Sequence, residues 1–458
     1  MINIGNRREL FLDEHLIAEM RGTRLRLSHP ERREAAFVTD AAWEDNVAFP
    51  DRVLPWNGGW RLYYRAGILD LQREEDTYVL ALAESRDGLA FTRPDVGLVE
   101  CRGSRRNNIL QIGGFPNVPP PFLDATPACR LDQSFKGITA RACKAYAMCS
   151  ADGIRWTPMQ DAPLDLPGQF DTVNTSFWDA VARCYRCYTR SWHDRDTRRV
   201  LGGWEFAGAN PVRAIQCATS PDFIHWSAPE QFEYADGDYA THLYTNAIVP
   251  CPGAEHIYLG FPNRFVPDRK PDPSHPHDGV NDALFMSSRD GVRWTRWRDA
   301  WVRPGPDPLN WTERNNYPVW GIAETSATEW SMYITEHYRH AGVPTRMRRL
   351  AVRPWGFASV HAAFEGGEMT TRAFTYAGAA LRLNAATSAA GSIRVEVQDA
   401  QGHALPGFAL SDMAPWAGDA IDAPMAWRGG GSLAPMAGRP IRLRFALQDA
   451  DLFALRFE

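Results

Sequence analysis

The stretch Ser85-Arg-Asp-Gly-Leu-Ala-Phe91 is the first copy of a short signature that returns along the first three quarters of the chain. The further copies are Ser150-Ala-Asp-Gly-Ile-Arg-Trp156, Ser220-Pro-Asp-Phe-Ile-His-Trp226, Ser288-Arg-Asp-Gly-Val-Arg-Trp294 and a degenerate Arg353-Pro-Trp-Gly-Phe357. The third residues of successive copies lie 65, 70, 68 and 65 positions apart. A regular period of this kind indicates stacked units of a repeat architecture.

Each copy has the chemistry of a tight turn between two strands. An apolar alternating run precedes it, and an apolar residue and an aromatic residue follow it. Ser and Asp can bond the backbone of the turn, and Gly can take the left-handed conformation that the turn needs. The turn therefore joins the last two strands of a four-stranded unit. Five units predict an all-β fold, a five-bladed β-propeller with an axial funnel, whereas the alternative is a set of unrelated hairpins.

Length and composition are those of an ordinary globular chain. At 458 residues the chain is long enough for two domains. Apolar residues make up 44%, charged residues 23%, and the net charge is −5, so no basic excess points to nucleic acid. No apolar run reaches the roughly 20 residues of a transmembrane helix, and no membrane partner is predicted.

The first twenty residues and the cysteines bear on the compartment. Arg7, Arg8 and Glu9 lie where a signal peptide would need an apolar core, so a cytoplasmic location is predicted unless a leader has been removed. The eight cysteines are expected to be free thiols rather than disulfides or zinc ligands. Cys184 and Cys187 would face opposite sides of one strand. No metal or other cofactor is expected.

The predicted domain boundaries follow the signature. Residues 1–42 are expected to form a strap that packs on the propeller, residues 43–361 the five blades, and residues 362–458 a β-sandwich. The Pro- and charge-rich stretch 266–279 is expected to be an exposed loop that could act as a lid. The sandwich could bind carbohydrate or pack against the propeller. Its strand-like runs are 379–383, 392–397, 407–410, 441–447 and 452–457.

Candidate site residues follow from a register estimate. The first strand of a blade runs from the funnel mouth to a hairpin turn on the far face. In the third blade that turn is at Asp179, and the mouth lies eight positions earlier, at Asp171. The same count in other blades and the ends of the returning strands give the further mouth residues Asp45, Arg65, Asn117, Arg190, His242, Tyr244, Asn246, Arg264, Asp282, Asn315, Asn316, Glu336 and His337.

Several of these acidic residues also have a structural explanation. The signature aspartates Asp87, Asp152, Asp222 and Asp290 recur with the period, so they are predicted to be turn residues. Asp124 and Asp179 follow apolar pairs at hairpins and are predicted to be structural as well. Asp171 has no such turn role, which favours a functional role for this residue. Glu336 could pair with Arg339 or Arg346, and His242 could be a polar wall residue.

At this point the chain resembles the five-bladed propeller glycoside hydrolases of families 32 and 43, and more closely a family-32-like group of bacterial proteins. The residues that carry the closer resemblance are Leu10-Phe-Leu-Asp13, Phe170-Asp-Thr-Val-Asn174, His242-Leu-Tyr-Thr-Asn246, Asn316-Tyr-Pro318, Thr335-Glu-His-Tyr338 and Thr387-Ser-Ala-Ala-Gly-Ser392. The resemblance implies a funnel site with an Asp on blade one, an Asp on blade two and a Glu on blade three. Asp45 matches the first position, whereas Asn117 and Asp171 stand at the other two. The resemblance specifies fold and group and no substrate.

The predicted function is a glycoside hydrolase that cleaves a terminal sugar or a short oligosaccharide. Glycoside cleavage needs one protonated and one ionised carboxyl group, and Asp171 and Glu336 are the predicted pair. Asp45 and Asp282 would position hydroxyl groups or tune pKa values. Arg65, Arg190 and Arg264 favour an anionic substrate such as a uronate, because guanidinium pairs bidentately with carboxylate.

Two alternatives stay open. If the arginines bind phosphate, the protein would be a glycoside phosphorylase. A non-catalytic carbohydrate-binding propeller is the alternative from another class, and it would not need two carboxylates about 5 to 9.5 Å apart. The candidate substrate-binding residues are Arg65, Asn117, Asn174, Arg190, His242, Tyr244, Asn246, Arg264, Asn316 and His337.

Overall fold

The computed structural model describes residues 1–44, 46–68, 77–113, 118–171, 173–202 and 206–458. The chain divides into two compact units. One comprises Met1–His29, Pro252–Ala254 and Val352–Glu458 and is called the terminal unit here. The other comprises Pro30–Cys251 and Glu255–Ala351 and is called the repeat unit, because it holds the four clean copies of the signature.

The described residues form strands and short 3-10 helices, so the all-β prediction is confirmed. The first five strands are β1 (Ile2–Gly5), β2 (Glu9–Leu10), β3 (Ile17–Arg21), β4 (Thr23–Leu27) and β5 (Glu31–Val38). The next twelve are β6 (Val47–Trp56), β7 (Gly59–Ile68), β8 (Thr77–Ser85), β9 (Ile109–Ile112), β10 (Phe122–Leu123), β11 (Phe135–Arg141), β12 (Lys144–Ser150), β13 (Thr157–Pro158), β14 (Thr175–Asp179), β15 (Cys184–Asp194), β16 (Pro211–Ser220) and β17 (Glu230–Gln231).

The remaining strands complete the repeat unit and the C-terminal part of the chain. They are β18 (Glu233–Tyr234), β19 (His242–Leu243), β20 (Val249–Cys251), β21 (Ala254–Gly260), β22 (Asn263–Val266), β23 (Val280–Ala283), β24 (Met286–Ser288), β25 (Arg293–Arg296), β26 (Trp330–Glu336), β27 (Arg346–Val352), β28 (Ala358–Ala362), β29 (Gly367–Thr371), β30 (Phe374–Tyr376), β31 (Leu381–Asp399), β32 (Asp419–Pro424) and β33 (Ile441–Phe457). The 3-10 helices are Leu131–Gln133, Pro308–Asn310, Leu410–Asp412 and Ala434–Met436.

The first three sheets of the repeat unit are four-stranded, and each strand pairs with its neighbours in sequence. Their orders are β6-β7-β8-β9, β10-β11-β12-β13 and β14-β15-β16-β17. Local sequence explains the first hairpin, in which Trp56 pairs with Gly59 across Asn57 and Gly58. Both turn residues have positive φ, which is the conformation of the Asn-Gly turns that fit the twist of a hairpin.

The last part of the repeat unit is less regular. The fourth repeat is split between a three-stranded sheet, β19-β22-β23, and a five-stranded sheet, β18-β25-β24-β21-β20. The final sheet has the order β26-β27-β5. Its third strand therefore comes from the N-terminal segment that the sequence analysis assigned to a strap. The closed ring of five blades stays a prediction.

The signature forms the same turn in all four clean copies. In the first, the Ser85 Oγ accepts a hydrogen bond of 2.9 Å from the Gly88 N–H, and Asp87 accepts one of 2.8 Å from the Leu89 N–H. The glycine φ values are +76°, +72° and +82° at Gly88, Gly153 and Gly291. The turn role predicted for the signature aspartates is confirmed.

The third copy places Phe223 at the glycine position, with φ of +71°. This conformation is unfavourable for a bulky side chain. The Phe223 ring is fully buried and packs against the rings of Phe122, Tyr185 and Trp226. Aromatic packing therefore offsets the backbone strain at this copy.

The terminal unit is one ten-stranded hydrogen-bonded sheet that joins both ends of the chain. Strands β31 and β33 form its long antiparallel pair. The N-terminal strands enter the same sheet, since β1 pairs with β30, β3 with β29 and β4 with β28. The expected strap thus divides, with residues 1–29 in this unit. Leu410–Asp412 is a 3-10 helix where the end of a strand was expected. The β-sandwich stays a prediction.

The sequence-based expectations about disulfides, membrane spans and metal sites can be compared with the described residues. All eight cysteines are free thiols, and Cys187 is buried whereas Cys184 is partly exposed. In the ranges that the structure describes, no helix has the length and apolarity to cross a membrane. Within the same ranges, no group of three or more His, Cys, Asp or Glu side chains is arranged to hold a metal ion.

Candidate active site

A cavity of about 180 Å³ lies among the first three sheets of the repeat unit. It brings together three predicted residues, Arg65, Asp171 and Asn174, with Asp51, which the sequence analysis missed. Its remaining described lining residues are Leu80, Val118, Pro120, Ile138, Thr139, Ala140, Phe170 and Val173. Two carboxylates, one guanidinium and one amide therefore face a largely apolar wall, which we call the carboxylate cavity.

Asp51 reaches this cavity through an irregularity in β6. Pro50 pairs with Tyr64 and Arg52 pairs with Tyr63, so no residue of β7 stands opposite Asp51. A bulge of this kind re-aims a side chain and is frequent beside active sites. The signal in the sequence was Pro50, because proline inside a strand is confined to edges and bulges. A residue count that assumes regular strands does not detect this bulge, so it does not place Asp51 at the cavity.

The Asp51 carboxylate is buried and bound by one arginine. Arg65 donates to its two oxygens at 2.9 Å (Nε) and 3.0 Å (Nη2), and the guanidinium lies 5.4 Å from the Phe49 ring centroid. Burial raises the pKa of Asp51 above its ordinary value, although Arg65 favours the ionised form. Arg65 is thus a partner of a carboxylate of this chain.

Asp171 has one arginine as well, but it is much more open. The Arg190 Nη1 donates to its Oδ2 at 2.7 Å, and the side chain of Asp171 is 37% exposed whereas that of Arg190 is 2% exposed. Arg190 is fixed from the other side by a 2.7 Å hydrogen bond to the Tyr244 carbonyl oxygen and by the Tyr244 ring. A buried guanidinium is therefore paired with a carboxylate that solvent and ligand can reach.

The predicted polar residues of the fourth repeat have local structural partners. Asn246 accepts a hydrogen bond of 2.7 Å from Thr175 Oγ1 and donates to the Tyr188 carbonyl. His242 is buried, and its Nδ1 accepts from the Arg213 backbone N–H. Burial, together with the nearby Arg213, lowers the pKa of His242 to about 4, so the ring is neutral at neutral pH.

The predicted residues of the fifth repeat are held in polar networks. Asn316, at φ of +58°, donates to the carbonyl oxygens of Asn281 and Asn310. His337, at φ of +62°, pairs through Nε2 with Asp307 Oδ2 at 2.6 Å. These positions are positive-φ residues other than glycine, which cluster at functional sites.

Glu336 lies in a group of three arginines, which we call the arginine cluster. Its Oε2 accepts from the Nε atoms of Arg346 and Arg348, each at 3.0 Å, and the Arg32 Nε is 3.6 Å from Oε1. The side chain of Glu336 is 3% exposed. The pairing of Glu336 with Arg346 that the sequence analysis considered is present. Arg339 instead pairs with Glu313, a carboxylate that the sequence analysis did not single out.

Arg264 and Asp282 border another cavity, of about 640 Å³. The Arg264 Nε donates to Asp282 Oδ1 at 2.8 Å. Burial raises the pKa of Asp282, and Arg264 opposes that effect. The described residues lining this cavity include none of those lining the carboxylate cavity. Asp45 and Asn117 lie outside the described residues.

No family model matches the chain, and no curated protein matches it in sequence. Among similar solved structures, an N-acetylgalactosamine deacetylase from F. plautii, in complex with blood group B trisaccharide, is 13% identical, covers 72% of this chain and 95% of its own, and gives a TM-score of 0.43. The β-1,2-mannobiose phosphorylase from Listeria innocua is 12% identical, with coverage of 71% and 97% and a TM-score of 0.38. The Bombyx mori GH32 β-fructofuranosidase is 8% identical, with coverage of 94% and 95% and a TM-score of 0.39.

Proposed function

We propose that the protein is a carbohydrate-active enzyme that cleaves glycosidic bonds in the carboxylate cavity. The observation that carries this proposal is the presence of Asp51 and Asp171 in one cavity with unlike surroundings. Two carboxyl groups whose environments push their pKa values apart are what acid-base cleavage of a glycoside requires. Asp51 takes the place that the sequence analysis gave to Glu336.

The surroundings assign a role to each carboxyl group. Asp51 is buried with a raised pKa, so it is the general acid and donates its proton to the leaving glycosidic oxygen. Asp171 is accessible and paired with Arg190, so it is the second carboxyl group of the reaction, either attacking the sugar carbon or taking a proton from water. Glu336 is buried with three arginines around it and acts as a structural group in this proposal.

The finer features of the prediction belong to the same proposal. The repeat unit is a five-bladed propeller whose last blade is completed by β5, and the terminal unit is a β-sandwich. The substrate is a terminal sugar or a short oligosaccharide, with a uronate as the favoured residue. The Arg65 and Arg190 guanidinium groups each bind a carboxylate of the chain, so they support that preference less directly than the sequence suggested.

The test is a substrate screen with product analysis. Native protein is incubated with aryl glycosides and uronate-containing oligosaccharides, with and without inorganic phosphate, and the products are separated by chromatography. Free sugar in the absence of phosphate identifies a hydrolase, and a sugar phosphate formed only with phosphate identifies a phosphorylase.

The variant Asp171→Asn should abolish product formation. Its matched control is Asp132→Asn, because Asp132 also pairs with one arginine, Arg130, but lies on the surface. Binding of sugars without any cleavage would contradict the proposal and favour a non-catalytic propeller. Cleavage that survives Asp171→Asn would contradict the site.

A further inference from the structure

Arg213 is a cation that interacts electrostatically with Asp171 of the carboxylate cavity, and neither the sequence analysis nor the roles above account for it. It lies on β16, opposite Trp192 on β15. Its guanidinium carbon is 4.7 Å from the Trp192 ring centroid, 4.7 Å from that of Tyr244 and 5.0 Å from that of Phe265. Three aromatic rings thus hold the plane of the guanidinium in position.

The other arginines predicted for the site are neutralised, and Arg213 is not. Arg65, Arg190 and Arg264 each bind a carboxylate of the chain. Among the residues that the structure describes, no carboxylate forms an ion pair with Arg213, and its buried Nε has no hydrogen-bond acceptor. An unpaired buried donor is costly, so its presence calls for an explanation.

Arg52 shows how the chain satisfies a buried arginine that has only a structural role. Its guanidinium also stacks on an aromatic ring, that of Trp320, at 4.1 Å. Its Nε donates to the Pro121 carbonyl and its Nη1 to the Trp320 carbonyl. The fold supplies two backbone acceptors to the side chain of Arg52, and in the described chain it supplies none to the side chain of Arg213.

Arg213 is electrostatically coupled to the catalytic surroundings. It interacts with Arg190 and Asp171, and with Tyr244 and Tyr317. The pairing of Arg190 with Asp171 leaves the positive charge of Arg213 in excess at this edge of the site. An excess cation with free edge donors fits an oxyanion of the ligand, which it can bind through charge-assisted hydrogen bonds.

We propose that Arg213 is the specificity-determining residue of the site and binds an oxyanion of the ligand, either the carboxylate of a sugar acid or inorganic phosphate. The inference rests on the proposed function for the location of the site, and it concerns binding alone. No bond is formed or broken in this step. Its test is therefore made without turnover.

The experiment is isothermal titration calorimetry at constant ionic strength. The ligands are D-glucuronate against D-glucose, D-galacturonate against D-galactose, and inorganic phosphate. Native protein should bind a uronate roughly ten- to a hundredfold more tightly than the neutral sugar of the same configuration, which is the effect of a hydrogen bond to a charged group. Arg213→Met keeps the apolar stem and should remove that difference, and Arg213→Lys should keep a part of it.

The matched control is Arg198→Met, because the Arg198 guanidinium also stacks on an aromatic ring, that of Tyr239 at 3.7 Å, and Arg198 lines a different cavity together with Tyr239. It should retain the preference for the uronate. If phosphate binds native protein, loses affinity in Arg213→Met and no uronate is preferred, the oxyanion is phosphate and the inference holds for that source.

The inference is overturned if native protein binds none of the five ligands, if it binds uronates and neutral sugars equally and ignores phosphate, or if the preference survives in Arg213→Met. If Arg213→Met fails to fold, the inference is decided by comparing the uronate preference of Arg213→Lys with that of native protein. Preference for an oxyanion without cleavage of any substrate would contradict the proposed function and leave this inference intact. Cleavage of neutral sugars with no oxyanion preference would support the proposed function and contradict this inference.

Discussion

The carboxylate cavity and the arginine cluster both combine acidic groups with arginines, but in different proportions. In the cavity, Asp51 and Asp171 have one arginine each. In the cluster, Glu336 faces Arg32, Arg346 and Arg348, and Arg346 also pairs with Asp307. In the first arrangement one cation faces each carboxyl group, whereas in the second three cations surround one carboxyl group.

Exposure separates Asp171 from Glu336, whereas the side chain of Asp51 is 8% exposed and is reached from the cavity that it lines. The Asp171 side chain is 37% exposed, and the Glu336 side chain is 3% exposed. A group that transfers protons must come within hydrogen-bond reach of its substrate. Position along a strand therefore does not make a carboxylate catalytic, and its count of cations and its access to a ligand decide between chemistry and structure.

The largest effect is expected on kcat, for variants of the two carboxyl groups in the carboxylate cavity. Asp51→Asn removes the proposed acid, so kcat should fall about a hundred- to ten-thousandfold for a substrate with an alkyl leaving group. For an aryl glycoside with an acidic phenol as the leaving group the fall should be much smaller, because that oxygen leaves without a proton. Asp171→Asn should reduce kcat for both substrates. Steady-state kinetics on the two substrates measures the difference.

The surface variant Asp132→Asn is the control for both carboxylates and should keep native kcat. Equal losses for the two leaving groups in Asp51→Asn would show that Asp51 is not the acid. The distinction between a catalytic carboxylate cavity and a structural arginine cluster would then be wrong.

The second effect is on the cluster side. Glu336→Gln leaves three arginines around a neutral amide, and breaking a buried ionic network of this kind costs about 3 kcal/mol. The free energy of unfolding, measured by urea denaturation, should fall by that order, while kcat of the folded fraction stays near native.

Glu329→Gln is the matched control, since Glu329 also contacts two arginines, Arg349 and Arg33, but its side chain is 34% exposed. Its removal should cost less than about 1 kcal/mol. A large fall in kcat for folded Glu336→Gln would return Glu336 to the catalytic role that the sequence suggested.

The third effect concerns pH. Activity that depends on a protonated Asp51 falls as pH rises through the pKa of that group. Arg65 favours the ionised form, so Arg65→Met should raise the pKa of Asp51 and move the alkaline limb of the kcat profile to higher pH. Arg296→Met, which breaks a buried pair with Asp236 elsewhere in the repeat unit, should leave the limb in place. A limb that moves to lower pH would contradict the acid role.

Part of this picture follows from the sequence alone. The four signature turns are predictable because Ser, Asp and Gly act within a few residues of one another. Asp171 was predictable because it stands where no local turn explains it. Asp51 was not, since the bulge at Pro50 shifts the register by one residue and re-aims the side chain.

Contacts between distant residues account for the rest. The pairing of β1 to β4 with strands more than 300 positions later has no local signal, so the sequence placed these residues in a strap. The three arginines around Glu336 come from β5 and β27, and only the folded sheet shows that they converge. That no carboxylate of the described residues pairs with Arg213 likewise depends on which side chains approach it in the fold.

The smallest expected effect is at an aspartate that belongs to neither region. Asp152 accepts hydrogen bonds from the backbone N–H groups of Ile154 and Arg155 in the second signature turn, at 2.8 and 2.9 Å. Asp152→Ala leaves these donors to water at a partly exposed turn, so the free energy of unfolding should fall by about 1 kcal/mol. The kcat of the folded protein should not change, because the side-chain contacts of Asp152 are within the turn and it is not among the described residues of the carboxylate cavity. Urea denaturation and kcat are measured on the same preparation, and Asp152→Asn, which keeps one acceptor oxygen, should lose less stability.

A loss of kcat in Asp152→Ala without a loss of stability would mean that the turn aspartates act on the chemistry. The distinction between a catalytic cavity, a structural cluster and structural turns would then be wrong.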